Sequence, residues 1–345
     1  MKILLFTDNH FCEKSSILQG YGTKYSLRLE NQIKTQDWIE HTALAEGCEM
    51  EICLGDFFDK PDLNQFEITA AKDIQWNSLP HYFIVGNHES GLSSLECSSV
   101  KYLESADRKV ISEVTQMKIG NCDLSFIPYV TEADRKPLAE TLKQLDGCSK
   151  RVILSHNDIK GIQMGPVVSK TGYDLTDIDA NCDLFVNGHL HNGQRVSAKA
   201  MNLGNATGKD FGEDADRYPH RIVVLDTDSL TMKMIENPVA LNFYKIDLDE
   251  RSCDILRLSK LKDSAVLSIK TPESLLEQVK EKLEANKSKI LASRTIVSRE
   301  MTDGSSELCI DDLRSGDHLS KLVEFCRERL GQSEVLEQEL SEICR

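Results

Sequence analysis

Residues 1–10, Met1-Lys2-Ile3-Leu4-Leu5-Phe6-Thr7-Asp8-Asn9-His10, form an apolar run that stops abruptly on an acid, an amide and an imidazole. A run of this length predicts a buried first strand, Lys2 to Thr7. Asp8 interrupts it before a signal-peptide core could form, and no small-residue cleavage site follows. The pattern then repeats. Met50 to Leu54 leads into Gly55-Asp56-Phe57-Phe58-Asp59, and His81 to Val85 into Gly86-Asn87-His88-Glu89. Arg151 to Ser155 leads into His156, and Asp183 to Asn187 into Gly188-His189-Leu190-His191.

Between the first two runs, Leu27 to Ala45 carries Leu29, Ile33, Trp38, Ile39 and Leu44 at helical spacing, and Phe66 to Trp76 predicts a shorter helix. The order is β-α-β-α-β, with polar residues at the carboxyl ends of the strands. Open α/β sheets gather their ligands there, because several loops converge. A strand at Asp123 to Pro128 and a helix near Glu132 to Leu145 continue the alternation. Arg195 to Leu203, Arg221 to Asp226 and Thr231 to Ile235 then read as strands, which implies a second sheet.

The chain has 345 residues, long enough for two domains or one large domain with an appendix. The expected division is a catalytic domain over 1–240, a small α+β domain over 241–299, a polar linker over 300–317 and a helical tail over 318–345. In the small domain, Leu241 to Asp247 and Ala265 to Ile269 predict strands and Pro272 to Leu283 a helix. In the tail, Leu319, Leu322, Val323, Cys326 and Leu330 share one helical stripe, which suits either its own domain or a partner.

Composition excludes several classes. No apolar run approaches the ~20 residues that cross a bilayer, so no membrane role is expected. Eleven cysteines, an odd number without a C-x-x-C pair, argue against a disulfide framework or a structural zinc site. Reduced thiols in a cytoplasmic protein are expected. With 41 Lys+Arg against 56 Asp+Glu the formal charge is −15, which argues against a polycation that coats nucleic acid. A local basic groove remains open, and carboxylates that hold metal ions can inflate the figure.

Five of the nine histidines, 10, 88, 156, 189 and 191, lie in the motifs that end the strands. Imidazole, carboxylate and an amide carbonyl together suit Mn²⁺, Fe²⁺ or Zn²⁺. Asp8 with His10 and His189 with His191 can each turn toward one ion. With a further histidine, asparagine and aspartate the donors number seven, too many for one ion. Two ions sharing Asp56 would stand ~3.5–4 Å apart, the separation at which a bridging hydroxide can attack phosphorus. Any one of these motifs alone is commonplace; all five in order, each after a strand, are not.

The order D-x-H, G-D-x-x-D, G-N-H-[DE], H and G-H-x-H resembles the signature of the calcineurin-like metallophosphoesterase superfamily, over about residues 1 to 237. The resemblance implies an α/β (α+β) fold, a double β-sandwich flanked by helices with a dinuclear centre at one edge. It implies that Asp8, His10 and His191 bind one metal and Asn87, His156 and His189 the other, with Asp56 bridging. Two divalent ions are expected, Mn²⁺ first, with Mg²⁺, Fe²⁺ and Zn²⁺ as alternatives. His88 is left free to stabilise phosphoryl oxygens or protonate a leaving alkoxide. Glu89 would orient His88 or be a solvated loop acid; Asp59 and Asp158 fall outside the catalytic set.

Within the superfamily the chain looks most like SbcD-type nucleases, including phage recombination endonuclease subunits. A long loop and helix follow Asp8-Asn9-His10, with Lys24 and Arg28 placed to meet a phosphate backbone. Gly55-Asp56-Phe57-Phe58-Asp59-Lys60-Pro61 resembles that group's motif, and a capping domain and helical tail follow. Phe11-Cys12 departs from the group's usual Leu-Gly. The resemblance implies DNA as substrate, a cap that recognises duplex DNA, and a tail that binds an SbcC-type coiled-coil ABC ATPase. Two readings stand open. One is a dinuclear-metal-dependent DNA exonuclease or endonuclease in recombination, repair or replication. The other is a stand-alone phosphoesterase on a small nucleotide or phosphoprotein, with residues 241 to 345 as a lid or homodimerisation element.

Overall fold

Lys2–Phe6 is the strand the first residues predict, and both its faces are covered. Ile3 and Leu5 point into one core while Leu4 and Phe6 point into another, the consequence of the two-residue period of a strand. A computed structural model describes residues 1–92, 94–164, 167–249 and 253–298. Lys2–Phe6 is a central strand of a six-stranded sheet in the order Thr231–Glu236, Arg221–Asp226, Lys2–Phe6, Met50–Cys53, His81–Ile84, Arg108–Ile111. The last four run parallel to one another, and Arg221–Asp226 is antiparallel to Lys2–Phe6.

A second six-stranded sheet has the order Gln194–Arg195, Ala200–Asn202, Leu184–Asn187, Lys150–Ser155, Cys122–Ile127, Thr115–Ile119. Its four inner strands are parallel. Ile3, Leu5, Ile52 and Ile84 of the first sheet share one core with Leu124, Phe126, Val152, Leu154 and Val186 of the second. On the outer side of the first sheet, Leu29 and Ile39 of helix Leu27–Ala45 and Ala70 of helix Gln65–Asp73 pack on Leu4, Phe6 and Phe83. Leu138 and Ile178 cover the outer side of the second. The expected double sandwich flanked by helices is the observed fold.

Two expected elements change. The helix near Glu132 to Leu145 is a single turn, Leu138–Thr141, because Pro137 supplies no N–H and biases Lys136 away from helical angles. The expected strand Arg195 to Leu203 is a hairpin turned at Ser197, whose Oγ accepts from the backbone of Lys199 and Ala200.

Met1–Ser298 forms one compact unit. Within it Asn242–Asp247, Ala265–Pro272 and Ile290–Ser298 make a separate three-stranded parallel sheet. Helix Leu276–Ala285 buries Val279 against Tyr244, Ile246, Leu267 and Ile269. The linker over 300–317 and the tail over 318–345 lie outside the described residues. None of the seven cysteines whose side chains are described, Cys12, Cys48, Cys53, Cys97, Cys122, Cys148 and Cys182, is in a disulfide.

Candidate metal centre

The chain does not turn away at the ends of the first two parallel strands. Asp8 N donates to Gly55 O, His10 N to Asp56 O and Phe11 N to Phe57 O, so the two loops run on side by side. Phe11, Phe57 and Phe58 lock this extension from beneath, fully buried with ring centroids 4.9–5.8 Å apart. Asp8 and His10 are thereby held beside Asp56. Strands of both sheets deliver the rest: Asn87 and His88 follow His81–Ile84, His156 follows Lys150–Ser155, and His189 and His191 follow Leu184–Asn187.

The backbone bends sharply to aim these side chains. Of seven described non-glycine residues in the left-handed region, four are Asp8 (φ 53°), His10 (45°), Asp56 (50°) and His189 (74°). Each such residue costs roughly 1–3 kcal/mol, strain that persists where the surroundings over-determine it. Gly55 (φ +116°) and Gly86 are equally constrained. A Cβ on Gly55 would overlap the His156 ring, and one on Gly86 would overlap the Asp56 carboxylate.

Two donor groups result. In one, His10 Nε2 lies 2.9 Å from His191 Nε2, and Asp8 Oδ1 lies 3.7 and 3.9 Å from these two nitrogens. In the other, Asn87 Oδ1 lies 3.0 Å from His189 Nδ1 and 3.3 Å from His156 Nε2. Asp56 stands between, its Oδ2 3.1 Å from His156 Nε2 and 4.0 Å from His10 Nε2. Among the described residues, Asp8-His10-His191 and Asp56-His156-His189 each converge closely enough to hold a cation. Asp8 Oδ1 is buried without a hydrogen bond, and two imidazole nitrogens 2.9 Å apart cannot both carry protons; this set suits divalent cations.

The calcineurin-like phosphoesterase family model matches residues 1–193 of the chain, the span that supplies every one of these donors. The chain belongs to the calcineurin-like phosphoesterase family. Members use divalent metals, and this phosphoesterase is accordingly a metal-dependent hydrolase. Similar solved structures include an archaeal phosphodiesterase, at 15% identity over 68% of this chain and 99% of that one, with a TM-score of 0.35. Others are a dimetal phosphatase from Danio rerio (13%, 68% and 98%, 0.38) and the phosphoesterase Yfce from E. coli (12%, 69% and 100%, 0.33). No curated protein matches the chain.

Each of the four donor imidazoles is fixed from behind. His156 Nδ1 engages Leu54 O at 2.8 Å, His10 Nδ1 lies 2.8 Å from Asp59, His189 Nε2 lies 3.2 Å from Asp158, and His191 Nδ1 bonds Glu213. The opposite nitrogen of every ring then faces the cluster, the outer-shell pattern that sets tautomer and orientation in metal sites. Asp59 and Asp158, set aside on sequence, thus stand at the centre's margin. Glu213 and Lys209, which lies 3.1 Å from His10 Nδ1 and 2.8 Å from Asp59, were not foreseen at all.

The electrostatics of the phosphoesterase follow from this crowding. Burial alone would raise the Asp8 and Asp56 carboxyls, but the surrounding histidines outweigh it. Asp8 falls far below the usual range and Asp56 to about 2. Glu213 is likewise held at about 2 by His191 against its burial. Glu89 moves the other way, to about 8, through burial and the neighbouring Asp56. It is fully buried, accepting from the backbone of Phe58 and Gly86, so it braces the two loops and is no solvated acid.

The two residues read as phosphate contacts have other partners. Lys24 is exposed but pairs with Asp73 at 2.5 Å. Arg28 is 3% exposed, and its guanidinium points at His10 O and Lys209 O. It supports the metal loop from within the fold, a placement that takes it off the surface where a phosphate backbone would lie.

Proposed function

We propose that this phosphoesterase hydrolyses phosphodiester bonds in DNA, as the nuclease subunit of an SbcD-type complex with an SbcC-type coiled-coil ABC ATPase. The observation that carries the reading is the placement of His88. Its side chain is 39% exposed at the rim of the donor set, ring centroid 4.7 Å from that of His10, with Nδ1 3.1 Å from Asp59 O. Nε2 is the nitrogen left for substrate. A sugar oxygen leaves poorly as an anion, and an imidazole so placed can give it a proton or steady the phosphoryl oxygens.

Asp8, His10 and His191 would hold one divalent ion and Asn87, His156 and His189 the other, with Asp56 shared. Bound, such ions supply positive charge at the phosphoryl oxygens and a water of lowered pKa. The mixed nitrogen and oxygen donors favour Mn²⁺ over Mg²⁺, which prefers oxygen alone. The chain's own part is to fix seven side chains on strained loops and to leave one histidine free. The Gly55-Asp56-Phe57-Phe58-Asp59-Lys60-Pro61 run and the small sheet after the catalytic strands support the nuclease form.

A second reading, a stand-alone enzyme for a small nucleotide or phosphoprotein, is favoured by the engagement of Lys24 and Arg28 and by the charge of −15. Purified protein with Mn²⁺, with and without the candidate ATPase, should degrade DNA ends or single strands. His88→Ala should abolish this with metal content intact. Untouched DNA beside a hydrolysed small nucleotide would overturn the nuclease reading.

A further inference from the structure

Beside the second donor group lies a cavity of about 510 Å³ that opens on Asn87. Its volume is within the range of sites that bury a small molecule. Tyr129, Val130 and Leu95 form its apolar wall, and Thr131 and Asp134 stand at its polar rim. The Tyr129 ring, partly buried, lies 5.8 Å from the His189 ring. Its backbone is pinned, Tyr129 N donating to Val85 O and Val130 N to the Asn157 side chain at 2.9 Å, so the wall is preformed.

No lysine or arginine lines the cavity among the described residues. Arg135, the nearest in sequence, is turned to Glu132 and Val130 O. A phosphate belongs at the cation centre, and an uncharged group with an aromatic face belongs here. Thr131 Oγ1 donates to Asp134 Oδ2, which presents a carboxylate at the mouth as an acceptor for amino or imino N–H.

We infer that the cavity receives the base of an unpaired nucleotide whose phosphoester lies at the metal centre, with Tyr129 as its stacking platform. This rests on the reading of the donor set as a phosphoesterase centre and narrows its substrate class. A base can turn sideways into such a cavity only after leaving its stack, so single strands and frayed ends are the accessible forms.

The test is calorimetric binding of thymidine 5′-monophosphate against 2-deoxyribose 5-phosphate, which lacks the base, to the full chain. Stacking of one base on an aromatic ring is worth roughly tenfold or more, so the nucleotide should bind at least about tenfold tighter. Tyr129→Ala should erase that gap and Tyr129→Phe keep it. Thr131→Trp, which fills the mouth, should also erase it. Equal affinity of the two ligands, or a gap that survives both Tyr129→Ala and Thr131→Trp, overturns the inference. Cleavage of a single-stranded oligonucleotide, with and without an abasic residue at the scissile bond, decides the nuclease reading separately. Uncleaved DNA with a base-dependent gap would leave the cavity a mononucleotide site; cleavage with no gap would refute the cavity alone.

Discussion

Asp56 is the residue on which the two donor groups depend, since its carboxylate approaches imidazole nitrogens of both. Asp56→Asn removes the negative charge while keeping the shape, and elemental analysis should then find one ion or none per chain. Retention of two would end the bridging role. Glu213→Gln is a milder probe, because Glu213 touches no cation position; one carboxylate oxygen fixes His191 and the other accepts from Asn205 Nδ2 and Lys209 N. Loss of such an outer partner typically costs 10–100-fold in metal affinity, and titration with Mn²⁺ should show a drop of that order. An unchanged affinity would make Glu213 a packing residue. The expected ligands were legible because each closes an apolar run, where topology forces convergence. The roles of Glu213, Asp59 and Asp158 were not, since each acid's partner lies 22 to 49 residues away in the sequence, and for Glu213 and Asp158 nothing local distinguishes the residue from a solvated one.

At the scale of elements, helix Leu27–Ala45 shows why periodicity found the element and most of its apolar face but not the buried polar stripe beside it. Leu44 of the expected apolar stripe is 53% exposed, whereas Arg28, Gln32, Gln36 and Glu40, spaced four apart, are buried. This polar stripe serves the site. Gln32 donates to Asn9 O and His10 O, Gln36 accepts from Asn9, and Gln36 donates to Glu40. Glu40 in turn meets His81 Nε2 at 3.0 Å, with Glu51 of the neighbouring strand 3.7 Å from the same nitrogen. Burial and the adjacent Glu40 raise Glu51 from 4.5 to about 7. The native state therefore holds a proton that the unfolded chain has released, and stability falls as pH rises from about 4.5 to about 7. His81 slopes the same way: against its burial, Glu40 raises its pKa, a contribution full below 6.5 and lost as pH rises through the folded value. Glu51→Gln should flatten the decline of the thermal midpoint between pH 5 and 8, measured by calorimetry at fixed metal. Parallel curves for the two proteins would dismiss this account.

For the whole molecule, the question is what residues 241–298 do for the centre, and the loop over 205–217 supplies the link. Glu213 holds His191, while its neighbour Asp214 receives both Arg257 Nη2 contacts, at 2.7 and 2.8 Å, and Asp216 pairs with Arg257 Nε. Ala215 N donates to Phe243 O, and Phe211 sits edge-on to Phe243 at 5.4 Å. Leu18, from the loop after His10, is buried with Leu241, Phe243 and Val266. The change of character after Asn237-Pro238 was legible in the sequence, but not this stitching, which depends on contacts between segments far apart in the chain. A chain ended at residue 240 would uncover Leu18 and Phe211, at about 1.5–3 kcal/mol for each apolar side chain exposed. It would also free the Asp214 carboxylate from Arg257. The shortened chain should therefore melt at lower temperature and be cut by protease within residues 13–22. Its Mn²⁺ affinity should fall as well, because the loop that positions Glu213 loses its anchor. Arg257→Ala in the full chain separates the two effects: it should weaken Mn²⁺ binding with little change in protease resistance at 13–22. If the shortened chain matches the full one in melting, cleavage and metal affinity, the small sheet is independent of the centre and the proposed boundary at 240 is a true domain border.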